Sequence, residues 1–153
     1  MEVVIFMGIQ ASGKSTFYRE YFFNSHIRIN LDMLKTRHRE KILVQACLEA
    51  KQRFVIDNTN PTLEDRQRYI LPAKAHNFQI VGYYFTPNLE ASKRLNQQRS
   101  AKQIVPLAGL LSTYKKLIIP SYKEGFDALY SVQIASNYSF IIQEFNGEIS
   151  SRT

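Results

Sequence analysis

The clearest chemistry in this sequence belongs to the stretch Gly8–Ser15. It reads Gly-Ile-Gln-Ala-Ser-Gly-Lys-Ser and fits the pattern G-x-x-x-x-G-K-[ST] at every position. Glycines let a backbone wrap closely around phosphate oxygens, the amides at the start of the next helix point toward them, and Lys14 adds a positive charge. The hydroxyl of Ser15 suits Mg²⁺, which keeps several waters and needs few protein ligands. The stretch therefore predicts a site for a nucleotide polyphosphate and its magnesium ion.

Two acidic residues follow predicted strands and could act beside that site. Asp57 comes directly after the apolar run Phe54–Ile56, as a Walker-B acid does, and would hold Mg²⁺ or one of its waters; a turn or helix-capping role is the alternative. Asp32 could serve as a general base for an attacking hydroxyl, or equally as a helix N-cap. Because the carboxyl ends of parallel strands share one edge of a sheet, we expect both carboxylates near the γ-phosphate.

The elements that must position these residues alternate between strands and helices. The predicted strands are Val3–Met7, Ile27–Asn30, Phe54–Ile56 and Gln79–Phe85, with a closing strand or hairpin at Ala128–Ile134 and Tyr138–Phe145. The predicted helices are Ser15–Phe23, Asp32 to about Gln52, one from a capping box at Thr62 to about His76, one after Asn88, and Leu107–Ile119. This order predicts an α/β fold with a mainly parallel central sheet between two helical layers.

Length and composition indicate one compact domain over residues 1–153, since 44% of the residues are hydrophobic and 22% are charged. No apolar run approaches the ~20 residues of a membrane span, and the start of the chain lacks the features of a signal peptide, so we expect no membrane association. Cys47 is the only cysteine, and the three histidines are scattered. This excludes an internal disulfide and a zinc-ligand pattern and favours a reducing, cytoplasmic compartment.

The charge balance favours a polyanionic partner. Twenty Lys and Arg residues against thirteen Asp and Glu give a formal net charge of +7, which suits a nucleic acid or a nucleotide. Lys35, Arg37, Arg39 and Lys41 lie in one short stretch. They could form a basic groove for a nucleic acid strand, or an ordinary solvated helix face, and the pattern alone leaves both open.

Beyond these patterns, the chain resembles the P-loop polynucleotide 5′-hydroxyl kinases and, more broadly, bacterial kinases built on the same domain. The matching segments are Gly8–Phe17, Asn30–Asp32, Phe54–Pro61 with Arg66 and Tyr69, Asn96–Arg99, Val105–Pro106 and Glu124–Phe126. The loop motif is common to all P-loop proteins, whereas Ile-Asp-Asn-Thr-Asn-Pro and Glu-Gly-Phe are much narrower. The resemblance implies a P-loop kinase fold that transfers the γ-phosphate of ATP, with Mg²⁺, to the 5′-hydroxyl end of DNA or RNA.

The resemblance also implies roles for individual residues. Asp32 would be the general base, and Lys14 and Arg99 would act on the transferred phosphate. A small helical lid would span about 94–106, with Arg94 as a second lid residue. The implied nucleotide-binding residues are Gly8, Gln10, Ala11, Ser12, Gly13, Lys14, Ser15, Thr16 and Arg94; the implied metal ligands are Ser15 and Asp57; the implied substrate-binding residues are Lys35, Arg37, Arg39, Asn58 and Thr59.

Three departures from the family bear on the substrate. Lys35 stands where several members carry an arginine, and a lysine offers a point charge without a bidentate fork; Arg37 or Arg39 could take its place. Gln10 stands where many members have proline, which we expect to leave phosphate binding intact. The phosphatase domain of the phage and animal enzymes has no counterpart in this sequence, so we expect a phosphatase or ligase partner to be a separate chain.

Two other functions fit the same motifs. A P-loop kinase for a small hydroxyl compound, such as a sugar, nucleoside or antibiotic, would carry the same loop, strand-end acid and lid. A regulatory module that binds a nucleotide and hydrolyses it slowly is the third reading, although loop, metal hydroxyl, base and lid candidates are all present. Binding of single-stranded oligonucleotides at low salt separates the first reading from the second.

Overall fold

A computed structural model describes residues 1–145 of the chain. Its strands are β1 (Glu2–Met7), β2 (Ile27–Ile29), β3 (Phe54–Ile56), β4 (Gln79–Phe85), β5 (Ala128–Ile134) and β6 (Phe140–Glu144). Its α-helices are α1 (Lys14–Tyr21), α2 (Leu31–Leu34), α3 (Arg37–Ala50), α4 (Leu63–Ala75), α5 (Leu89–Gln97) and α6 (Leu107–Lys116), and a 3₁₀ turn spans Tyr122–Glu124. The predicted alternation of strands and helices is confirmed.

The six strands form one sheet in the order β2-β3-β1-β4-β5-β6. All neighbours are parallel except β5 and β6, which form an antiparallel hairpin. Val3–Met7 of β1 is fully buried, as expected for a central strand covered on both faces. The predicted mainly parallel α/β sheet is therefore confirmed, and the closing segment is a hairpin.

Helices cover both faces of the sheet. On one face, Val4 and Phe6 of β1 pack with Phe17 and Phe22 from α1 and its end. On the other face, Ile5 of β1 belongs to a larger core with residues of α3, α4 and α6. The T-shaped contact between the rings of Phe6 and Phe17, with centroids 5.7 Å apart, fixes α1 against the strand that precedes the loop. The three layers predicted from the sequence are thus present.

The segment between β2 and β3 differs from its prediction. A single helix from Asp32 to about Gln52 is wrong, because the chain forms the short α2 and then the longer α3. Lys35 adopts a φ of 75°, which ends α2, and the side chain of Thr36 then accepts a hydrogen bond from the amide of Arg39 to cap α3. A residue with positive φ followed by a threonine cap is a strong helix break.

The remaining elements follow the predictions closely. Thr62 and Asp65 form the predicted capping box of α4, and Asn88 caps α5. The last predicted helix is three residues shorter, because α6 ends at Lys116 rather than Ile119, and β6 begins at Phe140 rather than Tyr138. Within residues 1–145 there is no helix of the length and apolarity needed to span a membrane.

Candidate functional site

The loop between β1 and α1 has the backbone of a phosphate cradle. Ala11 and Gly13 have φ angles of 56° and 94°, and the amide of Gly8 donates to the carbonyl of Thr59 at 3.0 Å. No side chain caps the start of α1, and its first turn holds no acidic residue. The amides of this helix end are therefore available to an anion, as the sequence pattern predicts.

Lys14 is buried and lies folded onto its own loop. Its Nζ donates to the carbonyls of Ile9 at 2.7 Å and Gly8 at 3.1 Å, and the Oγ of Ser12 lies 3.4 Å away. Burial lowers the pKa of Lys14 to about 8, an effect that the charges of Asp57 and Asp32 oppose and that of Arg99 reinforces. The predicted base, metal ligand and lid arginine therefore all act electrostatically on this one lysine.

The structure brings the two predicted metal ligands together. The Oγ of Ser15 donates to Oδ2 of Asp57 at 3.0 Å, and Asp57 is 2% exposed. The same pair is contacted by Arg28, whose Nε donates to Oδ2 of Asp57 at 2.8 Å and whose Nη2 donates to Oγ of Ser15 at 3.0 Å. One hydroxyl and one carboxylate beside a phosphate loop fit Mg²⁺, which prefers oxygen ligands and takes few from the protein.

Asp32 lies in the first turn of α2, at the carboxyl edge of the sheet. It is not the N-cap, because Asn30 caps α2 by accepting the amide of Met33 at 2.9 Å. The capping alternative for Asp32 is therefore wrong. Its side chain is exposed and forms no hydrogen bond or ion pair with another of the residues described. The Asp32 carboxylate is therefore accessible at this edge of the sheet.

Reciprocal hydrogen bonds join the loops that follow β2 and β3. Nδ2 of Asn30 donates to the carbonyl of Asp57 at 2.6 Å, and Oδ1 of Asn58 accepts the amide of Leu31 at 2.9 Å. Asp32 and Asp57 therefore keep a fixed relation to each other. Asn58 was predicted to bind substrate; the structure places it between the two loops, with both polar atoms of its amide bonded to the protein.

The buried carboxylate of Glu40 holds Asn58 in this position. Oε1 of Glu40, which is 2% exposed, accepts from Arg37 at 2.8 Å and from the hydroxyl of Tyr69 at 2.8 Å. Its Oε2 accepts from Nδ2 of Asn58 at 3.0 Å. The pKa of the Tyr69 phenol is raised, first by burial and then by the charge of Glu40. Sequence reasoning missed Glu40 and Arg28, because neither belongs to a motif and both find their partners only in the fold.

The three basic residues that were predicted substrate ligands have different surroundings. Arg37 is bonded to Glu40 and, at 3.0 Å, to the hydroxyl of Tyr69; hydrogen bonding to Glu40 raises its pKa despite partial burial. Arg39 donates to the carbonyl of Leu34 at 3.1 Å. Lys35 is exposed, and its side chain forms no hydrogen bond or ion pair within residues 1–145. Of the three, Lys35 is thus the one whose charged group has no bonded partner there, and it lies three residues after Asp32.

Thr59 and Asn60, which follow β3, contact the phosphate loop and the strand before it. Thr59 contributes its carbonyl to Gly8, and Nδ2 of Asn60 donates to the carbonyl of Phe6 at 2.8 Å. The fully buried guanidinium of Arg66 donates to the carbonyl of Asn60 at 3.0 Å and pairs with Glu124 at 3.1 Å. The narrow motif after β3 and the late Glu-Gly-Phe segment thus meet through Arg66.

The predicted lid segment, about 94–106, comprises the last residues of α5 and the connection to the start of α6. Both amide atoms of Asn96 bond the backbone of Val105, at 2.7 and 2.9 Å, and tie the segment's two ends. Arg99 is half-buried and bonds the carbonyl of Gln103, while Arg94 is exposed on α5. That these two arginines clamp phosphate stays a prediction.

The loop also contacts the helices that flank this segment. The buried hydroxyl of Ser92 on α5 donates to the carbonyl of Ala11 at 3.0 Å. Nε2 of Gln10 donates to the hydroxyl of Thr113 on α6 at 2.9 Å. Thr16 is exposed at the start of α1, and its hydroxyl accepts from Arg19 at 3.3 Å. Helices α5 and α6 are therefore each hydrogen-bonded directly to the loop.

Comparison with known proteins places this geometry in a family. Residues 3–115 match the family described as AAA domain. A protein of Acanthamoeba polyphaga mimivirus whose name describes a bifunctional polynucleotide phosphatase/kinase is 31% identical over 86% of this chain and 33% of its own length. The bifunctional polynucleotide phosphatase/kinase of Schizosaccharomyces pombe is 31% identical over 82% of this chain and 32% of its own length. The chain thus spans about a third of the length of these relatives.

Solved structures share the fold at low identity. Kti12 of Chaetomium thermophilum, in complex with ADP-AlF3, has a TM-score of 0.67 at 14% identity and covers 89% of this chain and 92% of its own. A gluconokinase of Sinorhizobium meliloti has a TM-score of 0.61 at 15% identity and covers 88% of this chain and 83% of its own. These likenesses concern the fold alone.

The fold and the loop together define a P-loop domain with a mainly parallel sheet. The chain belongs to the AAA domain family, whose match covers the loop, Asp32, Asp57 and the segment of the predicted lid.

Proposed function

We propose that this chain is an ATP-dependent kinase that transfers the γ-phosphate to the 5′-hydroxyl end of a nucleic acid. The observation that carries the proposal is the placement of Asp32. Its carboxylate is exposed and unbonded within residues 1–145, it is not a helix cap, and its charge acts on Lys14 of the loop. The similarity to two polynucleotide phosphatase/kinases supports the choice of acceptor.

In the proposed reaction, Asp32 accepts the proton of the acceptor hydroxyl as its oxygen forms a bond to the γ-phosphorus. The bond from that phosphorus to the β,γ-bridging oxygen breaks, and ADP leaves. Lys14 and the amides at the start of α1 hold the phosphates, and Arg99 balances charge on the transferred oxygens. Ser15 and Asp57 would hold Mg²⁺, which neutralises phosphate charge when bound.

Transfer of labelled phosphate tests the acceptor. The protein is incubated with labelled ATP, Mg²⁺ and a short oligonucleotide bearing a 5′-hydroxyl, beside the same oligonucleotide already 5′-phosphorylated. We expect label on the 5′-hydroxyl strand alone. A protein that binds ADP but transfers label to neither strand would reject a polynucleotide acceptor.

The variant Asp32→Asn tests the base, because it removes proton acceptance at nearly constant shape. We expect transfer to fall by roughly 10²- to 10⁴-fold with ADP binding unchanged. Glu20→Gln, which removes an exposed carboxylate from α1, serves as the control and keeps full transfer. Full activity of Asp32→Asn contradicts the assignment.

A kinase for a small hydroxyl compound is the second candidate. The bonding of Arg37 to Glu40 and Tyr69 favours it, because this leaves fewer free cations beside Asp32 for a polyanion. Absence of oligonucleotide binding at low salt, together with transfer to a sugar or nucleoside, would select this candidate.

A further inference from the structure

Arg28 contacts both residues that would hold the metal ion. Its Nε lies 2.8 Å from Oδ2 of Asp57, and its Nη2 lies 3.0 Å from Oγ of Ser15. Ser15 itself donates to that same Oδ2 at 3.0 Å. One guanidinium therefore closes a ring of three hydrogen bonds with the hydroxyl and the carboxylate of the candidate magnesium site.

The position of Arg28 in the fold explains this reach. Arg28 is the middle residue of β2, beside Val55 of β3, and Asp57 directly follows β3. Val55 faces the α1 side of the sheet, so the long side chain of Arg28 runs along that side toward the start of α1. Its side chain is 28% exposed, which leaves it a path toward solvent.

The charge of Asp57 requires a counterion. A carboxylate that is 2% exposed is costly to bury alone, and within residues 1–145 Arg28 supplies its one ion pair. A magnesium ion on the same two oxygens would supply the countercharge instead. A guanidinium and a divalent cation that share these ligands repel each other strongly at such short distances.

We propose that Arg28 is a cationic placeholder that occupies the metal side of the phosphate site and is displaced when Mg²⁺ enters with the nucleotide. Arg28 thereby sets the Mg²⁺ concentration at which the nucleotide binds tightly. This inference rests on the nucleotide site of the proposed function and is independent of the acceptor. Arg28 itself belongs neither to the loop motif nor to the segment that follows β3.

The test measures ADP affinity by calorimetry over a series of free Mg²⁺ concentrations and takes the midpoint of the rise in affinity. Arg28→Met keeps the length of the side chain and removes its charge. We expect its midpoint to fall by about tenfold, as for loss of one charge from a half-buried site. Arg53→Met, which removes an exposed charge at the opposite edge of the sheet, keeps the wild-type midpoint.

An unchanged or higher midpoint in Arg28→Met overturns the proposal, since Arg28 would then support the metal ligands rather than compete. If Arg28→Met does not fold, Arg28→Lys decides, because a lysine keeps the charge and loses the two-pronged contact. A midpoint below that of the wild type supports the proposal, and an equal one overturns it. Absence of ADP binding in every protein overturns it as well. A lowered midpoint without transfer to oligonucleotides upholds Arg28 and rejects the nucleic acid acceptor.

Discussion

The surroundings of Lys14 disfavour its positive charge. Its Nζ contacts two loop carbonyls but forms no ion pair within residues 1–145, and burial lowers its pKa to about 8. A bound polyphosphate would bring negative charge to the ammonium and raise its pKa again. Nucleotide binding and protonation of Lys14 are therefore linked.

This linkage predicts a pH dependence of ADP affinity. Below pH 8 Lys14 is already protonated in the free protein, and the affinity is level. Above pH 8 the free protein must take up a proton to bind, so the affinity falls by up to about tenfold per pH unit. Titration of ADP between pH 7 and 9.5 measures this.

Lys14→Arg is the control for that prediction, because its guanidinium stays charged over the whole range. We expect a level affinity for this variant from pH 7 to 9.5. A wild-type affinity that is equally level would show that Lys14 does not titrate in this range.

The site residues differ in how far sequence could reveal them. Lys14, Ser15, Asp32 and Asp57 stand at strand ends or in the loop, so one rule about parallel sheets brings them together. Arg28 stands neither at a strand end nor in a motif. It lies inside a short strand, and only the pairing of β2 with β3 shows that it reaches Asp57.

At the scale of elements, the break between α2 and α3 decides where Asp32 lies. The apolar spacing of residues 32–52 predicts one helix, and Thr36 is the local signal against it. What the spacing could not show is that Leu31 is bonded to Asn58 and that Glu40 is bonded to Asn58 and Tyr69. These contacts join α2, α3, α4 and the end of β3, and helical periodicity carries no information about them.

Arg66 connects α4 to several neighbouring segments. Its guanidinium bonds Glu124 and the carbonyls of Asn60, Pro61 and Ile118. We expect Arg66→Met to lower the free energy of unfolding by roughly 3–5 kcal/mol, because it leaves a buried carboxylate unpaired. Urea denaturation measures the loss.

Arg68→Met provides the matched comparison in the same helix. Arg68 is more exposed and lies 3.9 Å from Asp65, and such surface pairs contribute about 0–1 kcal/mol. Equal losses for Arg66→Met and Arg68→Met would show that burial of the Arg66 pair has no energetic consequence.

At the scale of the whole molecule, the net charge of +7 would attract a nucleic acid without orienting it. In the proposed function the carboxyl edge of the sheet would supply the orientation, since Lys35 is exposed at the end of α2, three residues after Asp32. A phosphate contact by one lysine on a single strand contributes about 0.7 to the slope of log K against log salt.

We therefore expect Lys35→Met to reduce that slope by about 0.7 for a single-stranded oligonucleotide with a 5′-hydroxyl, measured by fluorescence anisotropy. Lys123→Met removes the same charge from an exposed position in the 3₁₀ turn that precedes β5, far along the chain from Asp32, and should leave the slope unchanged. Equal slopes for the two variants would place the strand away from Lys35.

The sheet order bears on the time at which the site can form during synthesis. β1 is made before both of its neighbours, and it pairs with β3 and β4. Until β3 has left the ribosome, the five buried residues of β1 have no strand beside them, and its second neighbour, β4, follows only later. The amide of Gly8 likewise lacks its partner until Thr59, just after β3, has been made. The phosphate loop is thus synthesised before the segments that hold its conformation. In the meantime the nascent chain carries an unpaired apolar strand of the kind that chaperones bind.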